Sequence, residues 1–211
     1  MDISEPVITR GDILNLEDKH FSRENVCIVT GAASGIGRAT AVAAAVNGLT
    51  VIALDINEKG GRETCDIAGE LGGKVIFIRT DLTEDTQIEM AVAEAAKLGT
   101  IKFLANVAGL QHIDSIDNFL MEAYDLMQRI MLRAPFYLSK LVISHIKKAR
   151  MASVHAHICT RNKPVYNITK FGLRALAQSI SAEGEGKFRA FTISAGYVKM
   201  PLALKQIPDQ A

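Results

Sequence analysis

Residues 26–37, Val-Cys-Ile-Val-Thr-Gly-Ala-Ala-Ser-Gly-Ile-Gly, limit what this chain can fold into more than any other stretch. Residues 26–29 are short, apolar and β-branched, the pattern of a buried strand. Gly31, Gly35 and Gly37 then mark a tight turn. Residues 38–47 are mostly Ala and Val without Pro, the pattern of a buried helix. Between a strand and a helix, a glycine loop is informative. Glycine lets the backbone reverse sharply and approach a ligand closely. The start of the helix offers unpaired N–H groups and the positive end of a dipole to an anion such as a pyrophosphate. Taken alone, the trio also fits an ordinary turn ahead of a packed helix.

The next apolar run, 49–54, ends in Asp55. An acid about 20 residues past such a turn is placed to hold the hydroxyl pair of a ribose. A lone Asp55 would equally serve as a helix N-cap; turn and acid together favour a dinucleotide site. The carboxylate would repel a 2′-phosphate, so NAD is expected rather than NADP. Residues 58–71 follow as a helix stopped by Gly72-Gly73. Residues 74–79 read as a third strand, followed by Asp81-Leu82, where the acid either accepts from an adenine amino group or caps the next helix. Residues 83–98 form an Ala- and Glu-rich helix closed by Gly99, and 101–105 a strand running into Asn106-Val107-Ala108-Gly109. This alternation predicts an α/β fold, a parallel sheet wound on both faces.

Residues 117–148 are mostly helical in pattern; Phe136, Leu138, Leu141, Val142 and Ile146 give one long helix a wide apolar face, either core or subunit contact. Residues 151–158 lead to the loop Asn162-Lys163-Pro164. A helix over 166–183 turns Phe171, Leu173 and Leu176 inward, and 188–193 is a strand. Residues 1–24 are polar, without clear period, and read as an extension partly ordered at best, ahead of one domain over 25–211. Net charge is +1, which points to no nucleic-acid or membrane surface. The three cysteines, Cys27, Cys65 and Cys159, are scattered and give neither a disulfide framework nor a metal-ligand spacing; Cys27 is expected in the core. No apolar run is long enough to span a bilayer, and Asp2, Glu5 and Asp12 are unlike a signal peptide, so a reducing, cytoplasmic compartment is expected.

Tyr166 and Lys170 stand four residues apart on the predicted helix, so both side chains emerge on one face. An ammonium beside a phenol favours the phenolate, which is expected to lower the Tyr166 pKa and make it a general acid/base near neutral pH. The same ammonium can hold ribose hydroxyls. Ser153 lies 13 residues earlier, within reach of the helix start through a loop, where its hydroxyl could bond a substrate oxygen. Isolated, Tyr-x-x-x-Lys is common by chance; behind a dinucleotide turn it gains weight.

Thr30-Gly31-x-x-x-Gly35-Ile36-Gly37, Asp55, Asp81, Asn106-x-Ala108-Gly109, Ser153 and Tyr166-x-x-x-Lys170 together resemble the short-chain dehydrogenase/reductase family over residues 25–211. The resemblance implies a single Rossmann-type domain that binds NAD through Gly31, Ser34, Gly35, Ile36, Gly37, Asp55, Asp81, Leu82, Asn106, Ala108, Gly109, Tyr166, Lys170, Gly196 and Val198. It implies catalysis by Ser153, Tyr166 and Lys170, with a substrate lid starting over about 197–211. Gln111-His112, Ser153-Val154-His155, Lys163 and residues 205–210 are similar to the D-3-hydroxybutyrate dehydrogenases. In those proteins, residues matching Gln111, His155, Lys163 and Gln206 surround the substrate carboxylate, beside Ser153 and Tyr166. The expected substrate is thus a small anionic hydroxy or keto acid, and the expected assembly a homodimer or homotetramer.

The chain departs from that pattern in places. Residues 147–152, Lys-Lys-Ala-Arg-Met-Ala, stand where the family has an apolar fifth strand, and no such strand can be read from them. By resemblance a final strand and part of the lid are also missing from this sequence. Met131 replaces a helix Asn, Ala195 a Pro and Met200 a Thr. Two alternatives therefore stay open: a catalytically impaired NAD-binding or assembly subunit, and a dehydrogenase for another small alcohol.

Overall fold

The apolar runs become strands β1 (Asn25–Thr30), β2 (Thr50–Asp55), β3 (Lys74–Arg79) and β4 (Thr100–Asn106), separated by helices α1 (Gly35–Val46), α2 (Glu58–Glu70) and α3 (Asp85–Lys97). Then come α4 (Met121–Gln128), a π-helical turn (Arg129–Arg133), α5 (Ala134–His145), β5 (Arg150–Val154), α6 (Pro164–Glu183) and β6 (Arg189–Ile193). The computed structural model describes residues 6–145, 150–154, 162–185, 187 and 189–193. All neighbouring strands are parallel, in the order β3-β2-β1-β4-β5-β6. A parallel sheet needs helical crossovers, and these cover both faces.

The two-residue period of β1 sorts its side chains between two cores. Val26 and Ile28 pack with Ile88, Val92, Leu138 and Val142 of α3 and α5. Cys27 and Val29 pack on the other face with Ala41, Val42 and Ala45 of α1 and Ala68 of α2. Burial pushes the Cys27 thiol up to about 12, which makes it an inert core residue.

The doubly wound sheet is as expected, with one correction: a fifth strand exists. β5 covers part of the stretch that carries no strand signal, with Leu104 opposite Met151 and Ala152 opposite Phe191. A short strand between two parallel neighbours takes its hydrogen bonds from both ladders, so the position overrides the propensity of Arg, Ala and Ser. The long helix is also not continuous, because the π-helical turn divides α4 from α5. Phe171 does not face inward as expected; it is 43% exposed, whereas Leu173 is buried. Phe136 is 56% exposed and lines a shallow groove with Leu132, Gly172 and Leu176. Ile146 and Cys159 lie outside the described residues.

Residues ahead of β1 close the amino edge of the sheet. Phe21 stacks on Phe103 with ring centroids 5.5 Å apart. Arg23 donates to the carbonyls of Ala45, Leu49 and Gly72, tying the ends of α1 and α2 to the strands that follow.

Candidate functional site

The carboxyl ends of β1, β2, β4 and β5 lie side by side, with Thr30 opposite Leu54 and Asn106 opposite Ser153. In an open parallel sheet this edge, where the strand order reverses, is where ligands bind. Gly31, at φ +68°, turns the chain there. A Cβ on Gly31 would stand 2.7 Å from Ala108 Cα, and one on Gly37 1.9 Å from the Gly31 carbonyl oxygen. Neither position admits a side chain, so α1 starts directly against the turn. Ser34 is the N-cap of α1, is exposed, and makes no side-chain capping bond. Its hydroxyl and the first N–H groups of the helix form a cradle shaped for an anion.

Thr30 joins the turn to the segment after β4. Its buried Oγ1 accepts from Val107 N at 3.0 Å and Ala108 N at 3.1 Å. Asp55 is equally tied in: Oδ2 accepts from Ala33 N and Oδ1 from Asn57 N, both at 3.0 Å. Arg38 reaches the Ala33 and Gly60 carbonyls, Thr64 Oγ1 and Glu63. A guanidinium committed to those acceptors is poorly placed to serve a 2′-phosphate. Asp81 does not cap α3, whose N-cap is Glu84; its Oδ1 instead accepts from both Thr83 N and Thr83 Oγ1 in the turn ahead of that helix, and Leu82 is a core residue.

Tyr166 lies in the first turns of α6 and Lys170 one turn later, its Nζ 5.2 Å from the Tyr166 ring centroid. The two share a face, as the spacing required. Their electrostatics differ from expectation. Burial pushes the Tyr166 phenol up and Lys170 down to about 8. The ammonium lies over the ring, and desolvation of both groups outweighs any mutual stabilisation of the phenolate–ammonium pair. Beside them Met127, Met131 and Val165 form a small apolar cluster against which Tyr166, Leu110 and Phe119 pack. Met131, on the π-helical turn, thus contributes a thioether wall where an Asn would bring a polar group. Gly172 allows the close contact of α6 with that turn: a Cβ there would meet Leu132 Cδ1 at 2.8 Å.

Lys163 occupies the N-cap position of α6, and partial burial pushes its pKa down. Asn162 just before it adopts φ +58°, a conformation Asn tolerates better than most residues. Its carbonyl accepts from Asp114 N at 3.2 Å. That bond fastens the loop after β4, which carries Gln111, to the start of α6. The turn residues 31–37, Asp55, Asn106, Ala108 and Gly109 therefore share one edge, and Gln111, Lys163, Tyr166 and Lys170 adjoin it. Ser153 belongs by register to the same edge. His155, Ala195, Gly196, Val198, Met200 and Gln206 lie outside the described residues. Sequence reading missed the π-helical turn and the polar links made by Thr30, Arg38 and Asn162. Only Thr30 had a signal, its place directly ahead of the first glycine.

A glycine turn at the carboxyl edge of a doubly wound parallel sheet defines a dinucleotide-binding class of α/β protein. The family model described as short chain dehydrogenase matches residues 25–211, and the chain belongs to that family. It is 30% identical over 197 residues to the D-beta-hydroxybutyrate dehydrogenase of Rhizobium meliloti (strain 1021), covering 87% of this chain and 75% of that protein. It is 31% identical over 197 residues to the uncharacterized oxidoreductase YxjF of Bacillus subtilis (strain 168), covering 89% and 76%. A crystal structure of a short chain dehydrogenase/reductase from Burkholderia phymatum in complex with NAD superposes with a TM-score of 0.80 at 19% identity, covering 85% of this chain and 67% of that one. No helix among the described residues is long and apolar enough to cross a membrane.

Proposed function

We propose that the protein is an NAD-dependent dehydrogenase of a small 3-hydroxy acid, interconverting compounds such as 3-hydroxybutyrate and acetoacetate. The observation that carries this reading is the Tyr166–Lys170 pair on one helix face, with Lys163 at the mouth of the same helix. The glycine cradle and Asp55 fit a dinucleotide: the cradle excludes side chains where a pyrophosphate would pass, and Asp55 is oriented by two backbone N–H groups. Asp55, with Arg38 engaged elsewhere, favours NAD over NADP. When bound, NAD accepts or returns the hydride.

In this reading Tyr166 takes the proton of the substrate hydroxyl through its phenolic oxygen. Ser153 holds that oxygen. Lys170 holds ribose hydroxyls, and a ligand hydroxyl bridging it to Tyr166 would favour the phenolate and so oppose the upward push of burial. Lys163 and Gln111 receive the carboxylate by charge-assisted and neutral donors, with His155 and Gln206 as further partners implied by the resemblance. The other cofactor contacts are assigned to Ser34, Ile36, Asp81, Leu82, Asn106, Ala108, Gly109, Gly196 and Val198. The exposed phenylalanines of α5 and α6 are proposed to seat a second copy in a homodimer or homotetramer. Free Cys27 and Cys65 suit a reducing, cytoplasmic compartment.

The test is NADH formation at 340 nm with D-3-hydroxybutyrate, run beside neutral secondary alcohols. Turnover of the acid supports the reading; turnover of neutral alcohols alone moves the substrate elsewhere. Met131 in the wall beside Tyr166 favours a second reading, a protein that binds NAD with impaired turnover. NAD binding without turnover of any alcohol would select it.

A further inference from the structure

Three buried side-chain polar atoms have no hydrogen-bond partner among the described residues: Asn106 Oδ1, Gln111 Nε2 and His112 Nε2. Folded proteins leave few such atoms, and each calls for an explanation. All three belong to the short segment that leaves β4 at the carboxyl edge of the sheet. Asn106 and Gln111 already have assigned partners in a bound cofactor and substrate. His112 has none.

The imidazole packs edge-on against Phe119, with ring centroids 5.0 Å apart and planes at 89°. Leu110 and Phe119, on either side of it in sequence, belong to the cluster that also contains Tyr166. Upstream, Thr30 anchors Val107 and Ala108; downstream, Asp114 is bonded to Asn162, next to Lys163. The ring thus sits on a segment tied at one end to β1 and at the other to the start of α6, with one buried nitrogen unpartnered among the described residues.

We propose that His112 is a specificity-determining residue whose Nε2–H donates to the carboxylate of the substrate, alongside Gln111 and Lys163. The inference rests on the 3-hydroxy acid reading above. A carboxylate has two oxygens and about four acceptor positions; Lys163, Gln111 and His112 take three of them, which leaves one to be shared by His155 and Gln206. A substrate without a second polar group leaves both neutral donors orphaned, and sites built that way reject such substrates. His112 then contributes discrimination, while Lys163 supplies the charge.

The test uses acetoacetate with NAD, a pair that cannot react, so binding is read without turnover. Calorimetry gives the dissociation constant for wild type, His112→Leu and His112→Gln. Loss of a donor to a charged oxygen predicts about tenfold or greater weakening for acetoacetate in His112→Leu. NAD affinity should stay within about twofold, and His112→Gln, which returns an N–H near the Nε2 position, should recover most of the loss. In parallel, the His112 Cε1–H resonance, identified among five histidines by its loss in His112→Gln, should shift on adding acetoacetate and not on adding cyclohexanone. Acetoacetate affinity unchanged in His112→Leu, or a His112 resonance that stays put while acetoacetate binds, overturns the inference and leaves the acid reading intact. Wild-type protein that binds NAD but no acetoacetate overturns both. Should His112→Leu fail to fold, the resonance and His112→Gln decide alone.

Discussion

Thr30→Val keeps the size and branching of a buried residue and removes one oxygen. That oxygen accepts from Val107 N at 3.0 Å and Ala108 N at 3.1 Å, and valine offers neither donor a partner. An unsatisfied buried donor costs about 1–3 kcal/mol. Two donors sharing one acceptor do not add fully, so a loss of about 2–4 kcal/mol is expected. Total stability of a domain is only about 5–15 kcal/mol. At about 2–4 °C per kcal/mol for a chain of this size, the thermal midpoint should fall by roughly 4–16 °C. Thr30→Ser keeps the acceptor and loses one methyl, worth about 1 kcal/mol. Urea denaturation should show a lower midpoint with an unchanged slope for Thr30→Val and a smaller shift for Thr30→Ser. NADH binding, followed by its fluorescence, should weaken in Thr30→Val, because the same oxygen keeps Ala108 against Gly31. A Thr30→Val protein within about 0.5 kcal/mol of wild type would refute the claim that this bond couples the two strand ends.

Lys170→Met should stabilise the protein while ending turnover. The folded pKa of Lys170 is pushed down by burial to about 8 from 10.5, so between those values the unfolded chain binds more protons and stability rises with pH. The penalty is therefore full below about pH 8 and gone above 10.5. Removing it should add about 3 kcal/mol at neutral pH, less about 0.5–1 kcal/mol for the lost contact with the Tyr166 ring. Urea melts at neutral and alkaline pH should show the gap closing as pH rises; a constant gap contradicts a buried ammonium. Tyr166→Phe should cut NADH formation by about 10²–10⁴-fold while NADH fluorescence titration gives an unchanged affinity; retained turnover removes the phenol from proton transfer. Lys163→Ala should raise the KM for 3-hydroxybutyrate about tenfold or more, with that for NAD within about twofold; equal changes in both would take Lys163 off the carboxylate.

Most of the sheet and the glycine cradle could be read from the sequence because both rest on local signals. The apolar runs of β1 to β4 are bounded by glycines or acids, and the turn needs Gly31 and Gly37 for steric reasons that no other residue meets. β5 could not be read that way. Its strand state comes from β4 and β6 on either side, a non-local cause absent from Arg-Met-Ala-Ser-Val itself. The π-helical turn could not be read either: Arg-Ile-Met-Leu-Arg is an ordinary helical string that carries no signal for the wider turn. For Tyr166 and Lys170 the spacing gave the shared face, but the direction of both pKa shifts depends on burial, which spacing does not encode.

The two edges of the sheet differ in how many buried polar groups they leave without an internal partner among the described residues. At the amino edge Arg23 satisfies three carbonyls, Thr50 Oγ1 donates to the Arg23 carbonyl, and the Asn47 side chain donates to Leu14 O and accepts from Leu16 N. At the carboxyl edge lie three buried atoms without a partner among the described residues, the left-handed Asn162 and the desolvated Lys170. Each of these lowers stability, and nothing in the fold requires them together. Selection for stability alone would fill the first with partners and replace the last with an apolar residue. Their concentration where strand order reverses is what a ligand-binding edge requires: donors and acceptors kept out of internal bonds so that a bound molecule can use them. The same asymmetry explains why Thr30 matters. With Asp55 and Asp81 it is one of the satisfied polar links at this edge, and the one that joins β1 to the segment after β4, which is why its loss should reach both stability and nucleotide affinity.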